Sequence, residues 1–245
     1  MLIVIYGFLI GAFVSLIGGG GASLYLGVLT SQLNIPAPIA APTSLFIALP
    51  ALFFGFLTQL KVKNVDFKIG NKMVLSAIPG IIVGTISSKY IPLNIYNIIV
   101  GFILMIMGVI VLVKFFRKTE QKSSKKNKNS LAISLGILSG LMVGIGGLSG
   151  GATTVGGLTI MGLGAIEAAG TTTYVLWIMS LIGFLTHLFT SKFAWTAGLG
   201  LMIGAIIGSI VTPLVLRKMN YVKINNILTP LLGAVIFYFG LKMII

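Results

Sequence analysis

The sequence predicts an all-α polytopic membrane protein made of two homologous, inverted repeats whose helices are broken by glycine and re-enter the membrane. Three observations carry that expectation. The 245 residues are 57% Ala, Val, Ile, Leu, Met, Phe, Trp, Tyr or Cys and only 8% charged, whereas about a quarter of a soluble domain is charged. The apolar residues fall into long runs, enough for about seven to nine spans of roughly 20 residues each. One glycine-rich stretch occurs twice, once in each half of the chain.

The apolar segments lie at 2–17, 22–34, 37–60, 72–89 and 93–115, and then at 131–147, 152–165, 168–190, 195–216 and 221–244. The polar stretch Arg117 to Ser130 separates the two sets. The expected organisation is therefore a first transmembrane repeat over residues 1–116, a basic cytoplasmic linker over 117–130 and a second transmembrane repeat over 131–245. The first segment has no cationic stretch before it and no small-residue cleavage site behind it, so it is expected to stay in the membrane and not to be removed as a signal peptide.

The duplication is explicit. Gly7 to Leu29 read GFLIGAFVSLIGGGGASLYLGVL, and Gly136 to Thr159 read GILSGLMVGIGGLSGGATTVGGLT. With one residue inserted at Leu148, Gly7 and Gly11 match Gly136 and Gly140, Gly18 matches Gly147, and Gly20-Gly21-Ala22-Ser23 match Gly150-Gly151-Ala152-Thr153. Further on, Ala40 to Ser44 match Ala168 to Thr172, Gly55 to Gln59 match Gly183 to His187, and Gly80 and Gly84 match Gly204 and Gly208. Contiguous glycines break a helix and bare N–H and C=O groups that lipid cannot satisfy. Such breaks are tolerated where they line a cavity enclosed by protein, so the paired runs point to a paired internal site near the middle of the membrane.

Loop charge gives the topology. In the first half, Lys61, Lys63, Lys68 and Lys72 occupy one loop and Lys89 the next; in the second half Lys192 is alone in the equivalent loop, and Arg217, Lys218 and Lys223 follow in the next. That swap is what inverted repeats produce, and it requires an odd number of crossings per half. Three full spans plus a re-entrant hairpin (2–17 with 22–34, and 131–147 with 152–165) supply the parity. Of the 17 Lys and Arg residues, all but Lys89, Lys192 and Lys242 then share the inner side. A rival with each broken segment counted as one crossing accommodates the charges nearly as well but leaves the swap without a cause.

Composition excludes several classes. The net charge of +14 sits in short loops, where it orients spans, and the cluster from Lys114 to Lys128 lacks the interleaved aromatic residues of a nucleic-acid site. It reads as a solvated linker near anionic headgroups. The absence of cysteine removes disulfide and thiolate chemistry. Asp66, Glu120 and Glu167 are the only carboxylates and form no metal-ligand cluster, so no cofactor or metal is expected.

The candidate binding residues follow from the breaks. Helices restarting after each run would aim free amides and a positive dipole end at an anion, which assigns Gly20, Gly21, Ala22 and Ser23 in the first copy and Gly150, Gly151, Ala152 and Thr153 in the second. The four-spaced glycines read instead as close helix packing. Thr43, Ser44, Thr171 and Thr172 open the next span of each half, where hydroxyls can donate to an oxyanion or bond their own backbone. His187, the sole histidine, and its counterpart Gln59 are candidates for coupling or gating, as is Glu167; the plainer reading caps a span with the first two and leaves Glu167 in a loop. Gly147-Leu148-Ser149-Gly150 with His187 also resembles the Ser-His dyad of rhomboid intramembrane proteases, but the duplicated glycine run already explains the string, and its first copy has no matching serine.

The glycine runs at Gly18 to Ser23 and Gly144 to Thr154, the openings Ala41 to Ser44 and Ala169 to Thr172, and the basic loop ending in Asn64-Val65-Asp66-Phe67 together resemble the TauE/SafE family of sulfite exporter-like membrane transporters over nearly the whole chain. In this sequence the runs continue without the proline that usually follows them in the family. The resemblance implies a secondary transporter in the cell membrane that moves sulfite, an organosulfonate such as sulfoacetate, or a related small anion by alternating access and with an ion gradient. A passive anion channel is the alternative. The expected partners are the anion, the bilayer and a second copy of the chain as a homodimer.

Overall fold

The computed structural model describes residues 2–17, 21–116, 128–148, 150–189, 191–216 and 221–245. The first half contributes α1 (Leu2–Ile17), α2 (Gly21–Ser31), α3 (Ala37–Lys61), α4 (Phe67–Ser88) and α5 (Leu93–Phe116). The second contributes α6 (Lys128–Gly146), α7 (Gly151–Ile160), α8 (Ala165–Leu188), α9 (Trp195–Leu216) and α10 (Tyr221–Ile244). The described residues are almost entirely helical and contain no strand. Within α3, α4, α5, α6 and α8, 5 stretches are long and apolar enough to cross a membrane. The 11 residues of α2 and the 10 of α7 are not, because a helix rises only about 1.5 Å per residue.

Several boundaries depart from the apolar runs: α2 and α7 end three and five residues short of theirs, and α4, α6 and α8 begin ahead of theirs. Helix α4 begins at Phe67, ahead of the lysines that end the apolar pattern, because Asp66 caps it: its Oδ1 accepts the N–H of Ile69 at 3.0 Å. Helix α6 begins at Lys128, inside the expected linker; the rest of that linker lies outside the described residues.

The most extensive packing runs between halves. Helix α1 lies on α9 and α4 on α6, each pair built on glycine. A Cβ at Gly7 would stand 2.2 Å from the carbonyl oxygen of Leu201, and one at Gly140 would stand 2.3 Å from that of Ala77. Only glycine allows backbones this close. Helices α5 and α10 also pair, with Gly101 against Gly240 and Gly108 against Gly233. Those matches fall in opposite order, so α5 and α10 run antiparallel.

Helices α3 and α8 form the most buried pair among the spans. They too are antiparallel: Phe46 meets Phe184, Phe53 meets Trp177, and Phe56 meets Tyr174. Two pairs of equivalent helices, α3 with α8 and α5 with α10, thus point in opposite directions. Lys72 Nζ donates to Asn129 Oδ1 at 2.6 Å, which sets the start of α4 beside the start of α6. At the far end, Lys242 Nζ donates to the carbonyl of Ser31 at 2.6 Å.

Candidate functional site

The second glycine run is a hairpin tip. Helix α6 stops at Gly146; Gly147 (φ 62°) and Gly150 (φ 57°) take the left-handed conformation that side chains resist. Helix α7 then returns along α6, with Gly150 over Ser139 and Gly157 over Leu135. Its N-terminus therefore opens beside the interior of α6, not at an end of the bundle. Gly147 is also wedged against α3, where a Cβ would stand 2.2 Å from the Ala41 carbonyl oxygen.

A polar net holds this tip. Ser44 Oγ donates to the carbonyls of Ala41 at 2.7 Å and Gly147 at 3.1 Å. The Tyr96 hydroxyl donates to the Ile145 carbonyl. Thr153 Oγ1 donates to the Gly150 carbonyl at 2.7 Å and lies 3.1 Å from Ser139 Oγ, which also reaches Thr154 Oγ1 at 3.4 Å. Of the candidates here, Gly151 is buried and Thr153 half-buried; Ser149 and the side chain of Ala152 lie outside the described residues.

At the first tip, Gly20 lies outside the described residues, while Gly21, Ala22 and Ser23 open α2 and are buried. The Oγ of Ser23 and the hydroxyl of Tyr25 are buried without a hydrogen-bond partner. Helix α2 lies along α3 and α10, whereas α7 lies along α8 and α6. The main neighbours of the two short helices are thus α3 and α8 rather than each other.

The remaining hydroxyl candidates join the halves. Thr43 Oγ1 donates to Ile39 O at 2.7 Å and accepts the N–H of Ala194, just ahead of α9, at 3.2 Å. Its counterpart Thr171 accepts the N–H of Asp66, just ahead of α4, at 2.9 Å. Thr172 Oγ1 donates to Ala168 O within its own helix at 2.7 Å. Gln59 and His187 occupy matching loop closures: Gln59 Oε1 accepts from Asn64 Nδ2 at 3.1 Å, and His187 Nδ1 lies 3.4 Å from Ser191 Oγ. The His187 ring is buried and faces the backbone of Val143 and Gly144. Glu167 is exposed in the first turn of α8, where a carboxylate suits the dipole.

Sequence reasoning overlooked Ser139, Tyr96 and a duplicated set of aromatic residues. Phe46 packs on Phe184 at 5.2 Å and on Trp195 at 5.8 Å; at the other end of the α3–α8 pair, Tyr174 packs on Phe56 at 5.2 Å and on Phe67 at 5.1 Å. Phe46 matches Tyr174, Phe184 matches Phe56, and Trp195 matches Phe67 between the repeats. The signal was present in the alignment of the halves, but only tertiary contact gathers three helices' worth of it.

The family model for the sulfite exporter TauE/SafE matches residues 3–243. The chain belongs to the TauE/SafE family. Among TauE/SafE relatives, it is 27% identical over 247 residues to the probable membrane transporter protein YdhB of Bacillus subtilis, covering 98% of this chain and 100% of that one. It is 24% identical over 268 residues to the probable membrane transporter protein YunE of the same organism, covering 98% of each. The probable membrane transporter protein MJ0441 of Methanocaldococcus jannaschii is 23% identical over 255 residues, covering 100% of this chain and 95% of that one. No solved structure matches it. With its apolar helices, the chain is a multi-pass membrane protein of a transporter family.

Proposed function

We propose that this TauE/SafE protein is a secondary transporter that carries a small sulfur oxyanion (sulfite, an organosulfonate such as sulfoacetate, or a sulfate-like ion) by gradient-coupled alternating access. The observation that carries the reading is the antiparallel packing of equivalent helices, α3 on α8 and α5 on α10, with a half-length helix in each half. Two repeats inverted across a membrane can exchange conformations, so that an outward-open state of one becomes an inward-open state of the other. The basic loop before α4 and the start of α6 share one end of the bundle, which is the cytoplasmic end by charge bias.

The anion is met by the first-turn amides of α2 and α7, from Gly21 and Gly151 onward, where unpaired N–H groups and the dipole favour negative charge. No lysine or arginine enters the described parts of α2, α3, α7 and α8 except Lys61 at the end of α3, so binding relies on dipoles and hydroxyls and can be released. The two aromatic clusters at opposite ends of α3 and α8 serve as alternate closures. The sulfur chemistry follows the description of the matched family.

The test is flux of sulfite, sulfoacetate and sulfate in proteoliposomes, with and without a pH gradient. Saturable uptake that follows the gradient is expected for at least one of them. Flux that rises linearly with concentration and ignores the gradient would indicate a channel, and no flux of any sulfur oxyanion would overturn the substrate assignment.

A further inference from the structure

The two glycine tips match in sequence but not in their hydrogen bonding. Three neighbouring helices contribute hydroxyls that engage the second tip: Ser44 on Gly147, Tyr96 on Ile145, and Ser139 on Thr153 and Thr154. The positions that match three of these groups in the other half cannot take part. Ile10 stands for Ser139, Leu24 for Thr154 and Ile224 for Tyr96. The hydroxyl that matches Ser44 is Thr172; like Ser44 on Ala41 it bonds its own helix, at Ala168, but it reaches no tip carbonyl among the described residues. Among the described residues, the counterparts of these groups form no such net beside Gly21–Ser23.

In the first turn of α2 stands one polar side chain that corresponds to a bonded one. Thr153 donates to the Gly150 carbonyl. Ser23, its counterpart, is fully buried and its Oγ has no partner. A buried hydroxyl left unpaired is costly, a cost that a ligand arriving at the site removes. Side chains in a helix lean toward its N-terminus, so Ser23, in the first turn of α2, covers the end at which amides are free. The opposite end of α2 is occupied by Lys242, whose ammonium bonds the Ser31 carbonyl and answers the negative end of the dipole.

We infer that the two halves divide the work: the first turn of α2, with the Ser23 hydroxyl and the amides that follow Gly21, binds the oxyanion, and the hydrogen-bonded α6–α7 tip is structural. This rests on the reading of the protein as an anion transporter and narrows it to one half-helix. The ligand is an oxyanion small enough to be held by one hydroxyl and a turn of amides. The hydroxyl donates to one of its oxygens, and no fixed cation is needed.

Proteoliposome uptake of sulfite, sulfoacetate, sulfate, phosphate, nitrate and formate by the full chain tests this alongside Ser23→Ala, Ser23→Thr, Ser139→Ala and Thr154→Val. Ser23→Ala is expected to raise the half-saturation concentration about tenfold or more, the loss of a hydrogen bond to a charged group, and Ser23→Thr to restore it within about threefold. Ser139→Ala and Thr154→Val are expected to lower the unfolding temperature while leaving half-saturation within about twofold. Equal half-saturation for Ser23→Ala and the natural chain overturns the inference, as does a larger effect from Ser139→Ala than from Ser23→Ala. If only an anion without sulfur is carried, and Ser23→Ala weakens it, the tip assignment stands and the sulfur reading falls. If no anion is carried at all, both fall.

Discussion

Thr171 Oγ1 accepts the backbone N–H of Asp66 at 2.9 Å, one half of the chain thereby terminating a loop of the other. Thr43 does the same for Ala194 at 3.2 Å. Each bond lies where a span of one repeat passes the start of a span in its partner. A relative movement of the halves must strain or break one of them.

Replacing Thr171 with Val keeps its shape but strands the Asp66 N–H. The expected loss is about 1–3 kcal/mol, read as a lower unfolding midpoint in detergent, and Thr171→Ser should recover most of it. Thr43→Val should behave alike at the opposite end. An unchanged midpoint in both would mean that these bonds are not what holds the halves together.

Glycines of similar sequence context should respond in opposite ways. Gly140→Ala drives a methyl to 2.3 Å from the Ala77 carbonyl oxygen, and prying α6 from α4 is expected to cost about 1–3 kcal/mol. Gly156 in α7 meets nothing within 4 Å. Gly156→Ala should therefore stabilise by about 0.4–1 kcal/mol through the unfolded chain. Unfolding midpoints of the two variants, measured side by side, check the difference in sign.

The aromatic clusters predict opposed shifts in sidedness. Removing Phe56 or Phe184 by substitution with Ala deletes contacts worth about 0.5–1.5 kcal/mol per pair, enough to move a two-state ratio roughly two- to twelvefold. Because the chain has no cysteine, a single Leu49→Cys in mid-α3 can be labelled from either face of oriented vesicles. Phe56→Ala should raise labelling from one face and Phe184→Ala from the other. A rise from the same face in both variants would remove the clusters as alternate closures.

How far the sequence reached is clearest at the breaks. The glycine runs marked where α2 and α7 begin to within a residue, because repeated glycine weakens a helix enough to break it there, although the single pair Gly156-Gly157 is carried inside α7. The four-spaced glycines were readable as packing contacts since no other residue lets two backbones meet. The start of α4 was missed, because Lys68 and Lys72 end the apolar pattern while the Asp66 cap extends the helix past it. The hydroxyls of Thr43 and Thr171 resembled ligand donors, but their partners are loop amides brought from the other repeat, which no local pattern encodes.

By itself, the sequence determined that this chain is a duplicated, helical, membrane-embedded protein with a broken helix in each half. Those properties follow from composition, periodicity and backbone chemistry, which act along the chain. Tertiary structure alone decided which helices pair across the halves and which neighbouring hydroxyls hold the second tip. The hydrogen bond from Ser44 to Gly147 and the unpaired hydroxyl of Ser23 depend on which side chains meet in space. Two tips nearly identical in sequence thus became different in physics through their neighbours.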